Sequence, residues 1–170
     1  MLALTLAVKI HTLISLIGIA TGFIVMIGLL NSNRMRVMTA AFLFFTVLTS
    51  LSGFPLPAEK FLPSHAVGIL SMIILPIALY ALYRGKLLGK WRWIYVVTAM
   101  FAQYLNVFVL VVQSFLKVPA LHDLDPTVPP SGNPFKATQL VVLLIFIVWT
   151  ILAVKKFRPQ SAPDAQRLPN

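Results

Sequence analysis

The sequence contains no cysteine. That excludes a disulfide framework, a thiolate nucleophile and any cluster held by cysteine. Charge is scarce as well: 11% of the 170 residues are charged, and only four of them are Asp or Glu. A water-soluble domain usually carries about a quarter charged residues. A globule of this length exposes too much surface to stay dispersed when 59% of it is hydrophobic and its mean hydropathy is +0.90. A soluble globular enzyme and a disordered chain are therefore both excluded. Walker A, GxSxG, HExxH and GxGxxG patterns are missing. Ser64 and Ser114 have no recognisable acid–base partner, so a hydrolase has no support and a non-enzymatic role is the better expectation.

What the chain does have is long apolar runs. A helix needs about 20 mostly apolar residues to cross roughly 30 Å of hydrocarbon. Five runs meet or approach that length, at residues 10–30, 37–54, 65–83, 93–116 and 137–154, the first being extended by the apolar residues 1–8. They are continuous and do not alternate with period two, which excludes a transmembrane β-barrel. The expected fold class is all-α: a polytopic transmembrane helix bundle with five spans in one domain, residues 1–158, followed by a flexible cytoplasmic tail, residues 159–170. Lys9 precedes the first run as in a signal peptide, but the run is too long for an h-region and lacks an A-x-A site. It reads as a retained helix. Eleven of the twelve prolines fall outside the expected spans; Pro76 interrupts the third, where it cannot donate to the Met72 carbonyl and predicts a kink. No internal repeat supports an inverted-repeat transporter.

The net charge of +10 is unevenly distributed. Alternating loops put Arg34, Arg36, Arg84, Lys86, Lys90, Arg92, Lys155, Lys156, Arg158 and Arg167 on one side, and Lys9, Lys60, Lys117 and Lys136 on the other. The positive-inside rule then places the N-terminus outside and the C-terminus in the cytoplasm. Cations spread among helix-flanking loops, without interleaved aromatics, do not make a nucleic-acid platform. Tyr80, Tyr83, Trp91, Trp93 and Tyr95 cluster at the cationic side and read as an interfacial belt. Membrane lipids are the expected surroundings, with the basic runs touching anionic headgroups.

Polar groups inside spans point to function. None of the spans holds a carboxylate, which removes the usual proton-relay acids. His11, Ser15, Gly18 and Gly22 share one helical face, and Gly18-x-x-x-Gly22 permits close approach of a helix from this chain or from a second subunit. Ser64 is placed to cap the third helix, with His65 in its first turn and Gly68 leaving room one turn on. The first and third spans run in the same direction, so His11 and His65 should come to similar depth on the outer side. Thr49 and Ser50 end the second span, Gln103, Asn106 and Gln113 form a stripe on the fourth, and Gln139 opens the fifth. Together with Ser15 and Gly68, these residues predict a polar pocket in the outer half of the bundle. The loop from Lys117 to Lys136 is long, with five prolines, and its segment from Leu121 to Pro126 could fold over the pocket as a lid. His122, Asp123 and Asp125 are weak metal candidates there, with a spacing that matches no specific motif.

At Phe61-Leu62-Pro63-Ser64-His65-Ala66-Val67-Gly68-Ile69-Leu70 and Tyr104-Leu105-Asn106-Val107-Phe108-Val109-Leu110, continuing to Leu121-His122, the chain resembles small uncharacterised multi-pass bacterial inner-membrane proteins. The resemblance implies a bacterial inner (cytoplasmic) membrane and carries no activity. More loosely, His11 with its spaced glycines and the pair His65 and Gly68 are similar to patterns in small membrane b-type cytochromes. The first expectation is a binding or accessory component of the membrane with an outward-facing polar pocket. One alternative is a haem b electron-transfer protein with His11 and His65 as axial ligands. The other is a small transporter, or a lipid- or quinone-binding protein, centred on Gln103, Asn106 and Gln113. Other membrane subunits are conceivable partners.

Overall fold

Uninterrupted runs of Leu, Ile, Val, Phe and Ala satisfy every interior backbone group only as helices when water is absent, and helices are what the chain forms. A computed structural model describes residues 2–54 and 63–158, with the side chains of residues 2–4, 63 and 64 excepted. The expected cap at Ser64 concerns a side chain outside that description. The expectations for Lys60, and for a flexible tail at 159–170, also lie outside the described residues. The elements are α1 (Leu2–Leu30), α2 (Arg36–Gly53), α3 (Pro63–Leu79), α4 (Lys90–Lys117), the short α5 (Pro119–His122) and α6 (Asn133–Lys156), with no strand among the described residues. Five stretches are long and apolar enough to cross a membrane: Thr5–Leu30, Arg36–Gly53, His65–Arg84, Lys90–Lys117 and Asn133–Lys156.

Several helices outrun their apolar runs. α4 begins at Lys90 and α6 at Asn133, three and four residues ahead of the hydrophobic stretches. Proline explains part of this. Pro63, Pro119 and Pro134 lie within the first two positions of α3, α5 and α6, where a missing N–H costs nothing. They start helices, whereas the sequence placed them in loops. The helix α3 continues through Pro76, and its end widens into a π turn at Tyr80–Arg84, closed by Gly85 N–H donating to the Tyr80 carbonyl at 2.8 Å.

Helices α1, α2, α3 and α4 form a closed ring, each packing on the next and α4 returning to α1; α6 lies outside against α4 and α1. The ring has two unlike ends. At one end the turn after α1, the start of α4 and the end of α6 meet. Arg92 Nη1 donates to the carbonyls of Val154 (2.9 Å) and Phe157 (2.5 Å), and Arg158 N–H donates to Ser32 Oγ (2.8 Å). The core fills this half: Met26, Phe42, Leu75, Tyr95, Met100 and Phe157 are all buried there. Tyr95 is only 1% exposed and its ring lies 6.3 Å from that of Phe157, so it belongs to the core and not to the belt. Tyr80, Tyr83 and Trp93 do face outward, each about half exposed.

Candidate functional site

At the opposite end the same ring is not filled. A cavity of about 520 Å³ opens among α1, α2, α3 and α4. Its walls are mostly apolar: Leu16 and Ile19 from α1, Val67 from α3, Val109 and Leu110 from α4. The residue types at this level explain the gap. Where the other half carries Phe, Tyr and Met, this half carries Ser15, Ser50, Gly53, Gly68 and Ser71. Small side chains on three of the four helices leave a void that the backbone cannot close.

Eight of the ten residues expected to form the site line this cavity: His11 and Ser15 on α1, Thr49 and Ser50 on α2, His65 and Gly68 on α3, and Asn106 and Gln113 on α4. Gln103 and Gln139 do not. Gln103 is fully buried deeper in the ring, where its Nε2 donates to the Ile19 carbonyl at 2.9 Å and its amide occupies the space of the side chain Gly22 lacks. At 100° per residue it points about 60° away from Asn106 around α4, which turns it toward α1. Gln139 donates from Nε2 to the Phe108 carbonyl at 3.1 Å and ties α6 to α4. Both are interhelical hydrogen-bonding groups. The glycine pair is explained as well. A Cβ on Gly18 would touch Phe45 at 3.4 Å, and one on Gly22 would overlap Gln103, so the motif packs α1 on α2 and α4 of its own chain.

His11 is the best-defined polar group of the cavity. Its Nδ1 lies 2.8 Å from Ser52 Oγ, and Gly53 lets the ring rest against α2 with Cε1 3.4 Å from where a Cβ would stand. Ser52 Oγ is also 3.3 Å from the Thr49 carbonyl. When Ser52 donates to that carbonyl it accepts from Nδ1–H, leaving Nε2 with a lone pair; when it turns to donate to Nδ1, Nε2 carries the hydrogen. His65 is on the facing helix, its ring centroid 6.5 Å from that of Phe54. Asn106 Nδ2 donates to Thr46 Oγ1 at 3.1 Å, joining α4 to α2 at the cavity floor. Ser15, Ser50 and Ser114 each donate to the carbonyl one turn back and so bring no free donor. The Thr49 hydroxyl is different. It is buried and has no hydrogen-bond partner among the described residues.

Among the lining residues that were not anticipated, Ser71 and Lys117 matter most. Ser71 is 2% exposed and continues the row of His65 and Gly68 at three-residue steps. Lys117 is the one charged residue in the described lining. The signal for Lys117 was in the sequence, since Asn106, Leu110, Gln113 and Lys117 follow at offsets of 4, 7 and 11, the spacing of a single helical face. Reading Gln103 into that stripe turned the face away from it.

The connection after α4 is not a structureless lid. Val118 lines the cavity, the chain turns once as α5, and the remainder is organised around Asp125, which is 2% exposed. Asp125 Oδ1 accepts from Thr127 Oγ1 (2.6 Å) and Thr127 N–H (3.3 Å), and Oδ2 accepts from Gly132 N–H (2.6 Å) just ahead of α6. These bonds, the Thr127 hydroxyl first, hold the carboxyl below its usual range. The carboxylate is thereby occupied, and His122, Asp123 and Asp125 do not form a metal-holding group; no such group of three occurs among the described residues.

No protein family, curated protein or solved structure matches this chain.

Proposed function

We propose that the protein is an integral membrane component that binds an amphipathic small molecule or lipid inside its four-helix ring. The observation that carries this reading is the cavity itself: mostly apolar walls, a size within the usual range for small-molecule sites, and a buried Thr49 hydroxyl without a hydrogen-bond partner among the described residues. A void of this kind costs packing energy unless something fills it. The buried core at the opposite end favours binding over passage, because the described residues offer no continuation of the cavity beyond Gln103 and the core beneath it. The cation distribution supports a cytoplasmic location for the Arg92 end, hence a cavity opening toward the outer face of a bacterial inner membrane.

The test is to purify the protein in a mild detergent and extract what stays bound, with mass spectrometry as the readout. A discrete small molecule or lipid is expected at near-stoichiometric amount. In a Ser71→Phe variant, whose ring would fill the cavity floor, that species should be lost while the helical signal is kept. Equal content in both proteins, or none in either, would contradict the reading.

One observation favours a second reading. His11 and His65 line one cavity from facing helices, and Ser52 can fix His11 Nδ1 as donor and leave Nε2 to coordinate. Those two residues would hold a haem b, which would supply one-electron chemistry. The discriminating observation is a Soret band that shifts on dithionite reduction and disappears in His11→Ala. A colourless, folded protein made with haem available removes this reading.

A further inference from the structure

The charge of the described cavity lining is one-sided. It holds Lys117 and no carboxylate. Lys117 closes α4 at the mouth and lines the same cavity as His11. Lys117 forms no ion pair among the described residues. His11 adds a ring nitrogen that Ser52 allows to act as donor. From Lys117 down to Asn106 is eleven residues of α4, roughly 16 Å at 1.5 Å each, past Val109 and Leu110 on the same helix and with Leu16 and Ile19 facing from α1. A cation at the mouth of an apolar shaft matches one kind of molecule: a hydrocarbon tail carrying a single acidic head.

We propose that the cavity selects an anionic amphiphile, with a carboxylate or phosphate head held at Lys117 and the tail running inward to Ile19 and Asn106. This rests on the binding reading above and sharpens it by naming the ligand class. A free fatty acid and a phosphate-headed lipid share this chemistry. Lys117 is a specificity residue in this scheme, a charge that neutral amphiphiles of the same tail cannot use.

The full chain, in nanodiscs of zwitterionic lipid, is titrated with dodecanoate, dodecyl phosphate and dodecan-1-ol. At least one anion should bind roughly tenfold more tightly than the alcohol, an increment in line with a charge-assisted hydrogen bond. The preferred anion indicates a carboxylate or a phosphate source. Lys117→Gln should bring the anions down to the level of the alcohol, and Lys117→Arg should keep most of the advantage. Lys117 is exposed, so neither substitution disturbs packing. If the alcohol binds as well as both anions, the charge selection is wrong and the binding cavity stands. If the preference survives Lys117→Gln, Lys117 is not its source and the proposal fails. If none of the three binds, the cavity reading fails with it.

Discussion

Gln103 and Gly22 are a matched pair in the middle of the bundle, an amide seated where a side chain is missing. Gly22→Ala should therefore destabilise the protein by about 1–3 kcal/mol, the usual cost of overpacking a filled core. Combining it with Gln103→Ser should cost less than the sum of the two single changes. Denaturant titration in detergent would measure this, and strict additivity would show that the two residues do not share that space. Asp125 makes a second prediction at this scale. Its carboxyl is held below the ordinary value of 3.8, so the stabilisation is complete above that value and is lost as pH falls through the lower folded one. Protection of the Thr127 and Gly132 amides against hydrogen exchange, corrected for intrinsic rate, should be flat from neutral pH to about pH 4 and collapse below it. A fall already complete at pH 5 would contradict the assignment. The polar residues of the site were legible because an apolar span makes each of them conspicuous. Their partners were not. Whether a Gln faces a void or a neighbour's carbonyl depends on helix rotation, and 60° separates the two for Gln103 and Asn106.

The helices themselves were readable from hydropathy alone, since bilayer-spanning length is a strong constraint. Their ends were less so. Lys90, Trp91 and Arg92 are polar or amphipathic yet helical, and Pro134 opens α6 when a proline cluster suggested loop. The reason is visible in Arg92, which reaches from the start of α4 to the carbonyls that end α6. A guanidinium on those terminal carbonyls satisfies acceptors that α6 cannot pair internally, and its charge suits the negative end of the helix. Arg92→Ala should cost about 1.5–3 kcal/mol, as expected for hydrogen bonds from a charged donor, and should free the end of α6. Protease cleavage near Phe157, which is now fully buried, is the measurement; an uncut variant would show that packing on Tyr95 suffices. α5 and the Asp125 hub were hidden because five prolines dominated that stretch, while the ordering element is one carboxylate bonded across seven residues.

For the whole molecule, the count of five spans and the gathering of His11 and His65 at one end were within reach of the sequence, because alternating direction fixes which ends share a side. The ring of four with α6 outside was not, since every helix is apolar on most faces and its neighbours are set by packing. Orientation makes the prediction at this scale. A periplasm-active reporter should work when inserted after Leu124, in the exposed turn that follows α5, and fail when fused after Arg158; the reverse pattern would turn the cavity toward the cytoplasm. The cavity has one further consequence. A molecule that occupies it in the folded chain and finds no site in the unfolded one raises stability by mass action, about 2.7 kcal/mol at a hundred times its dissociation constant. The folded population is then tied to what the surrounding bilayer contains. Protein stripped by a harsh detergent should melt lower than protein in native lipid, and adding back the occupant should restore the difference.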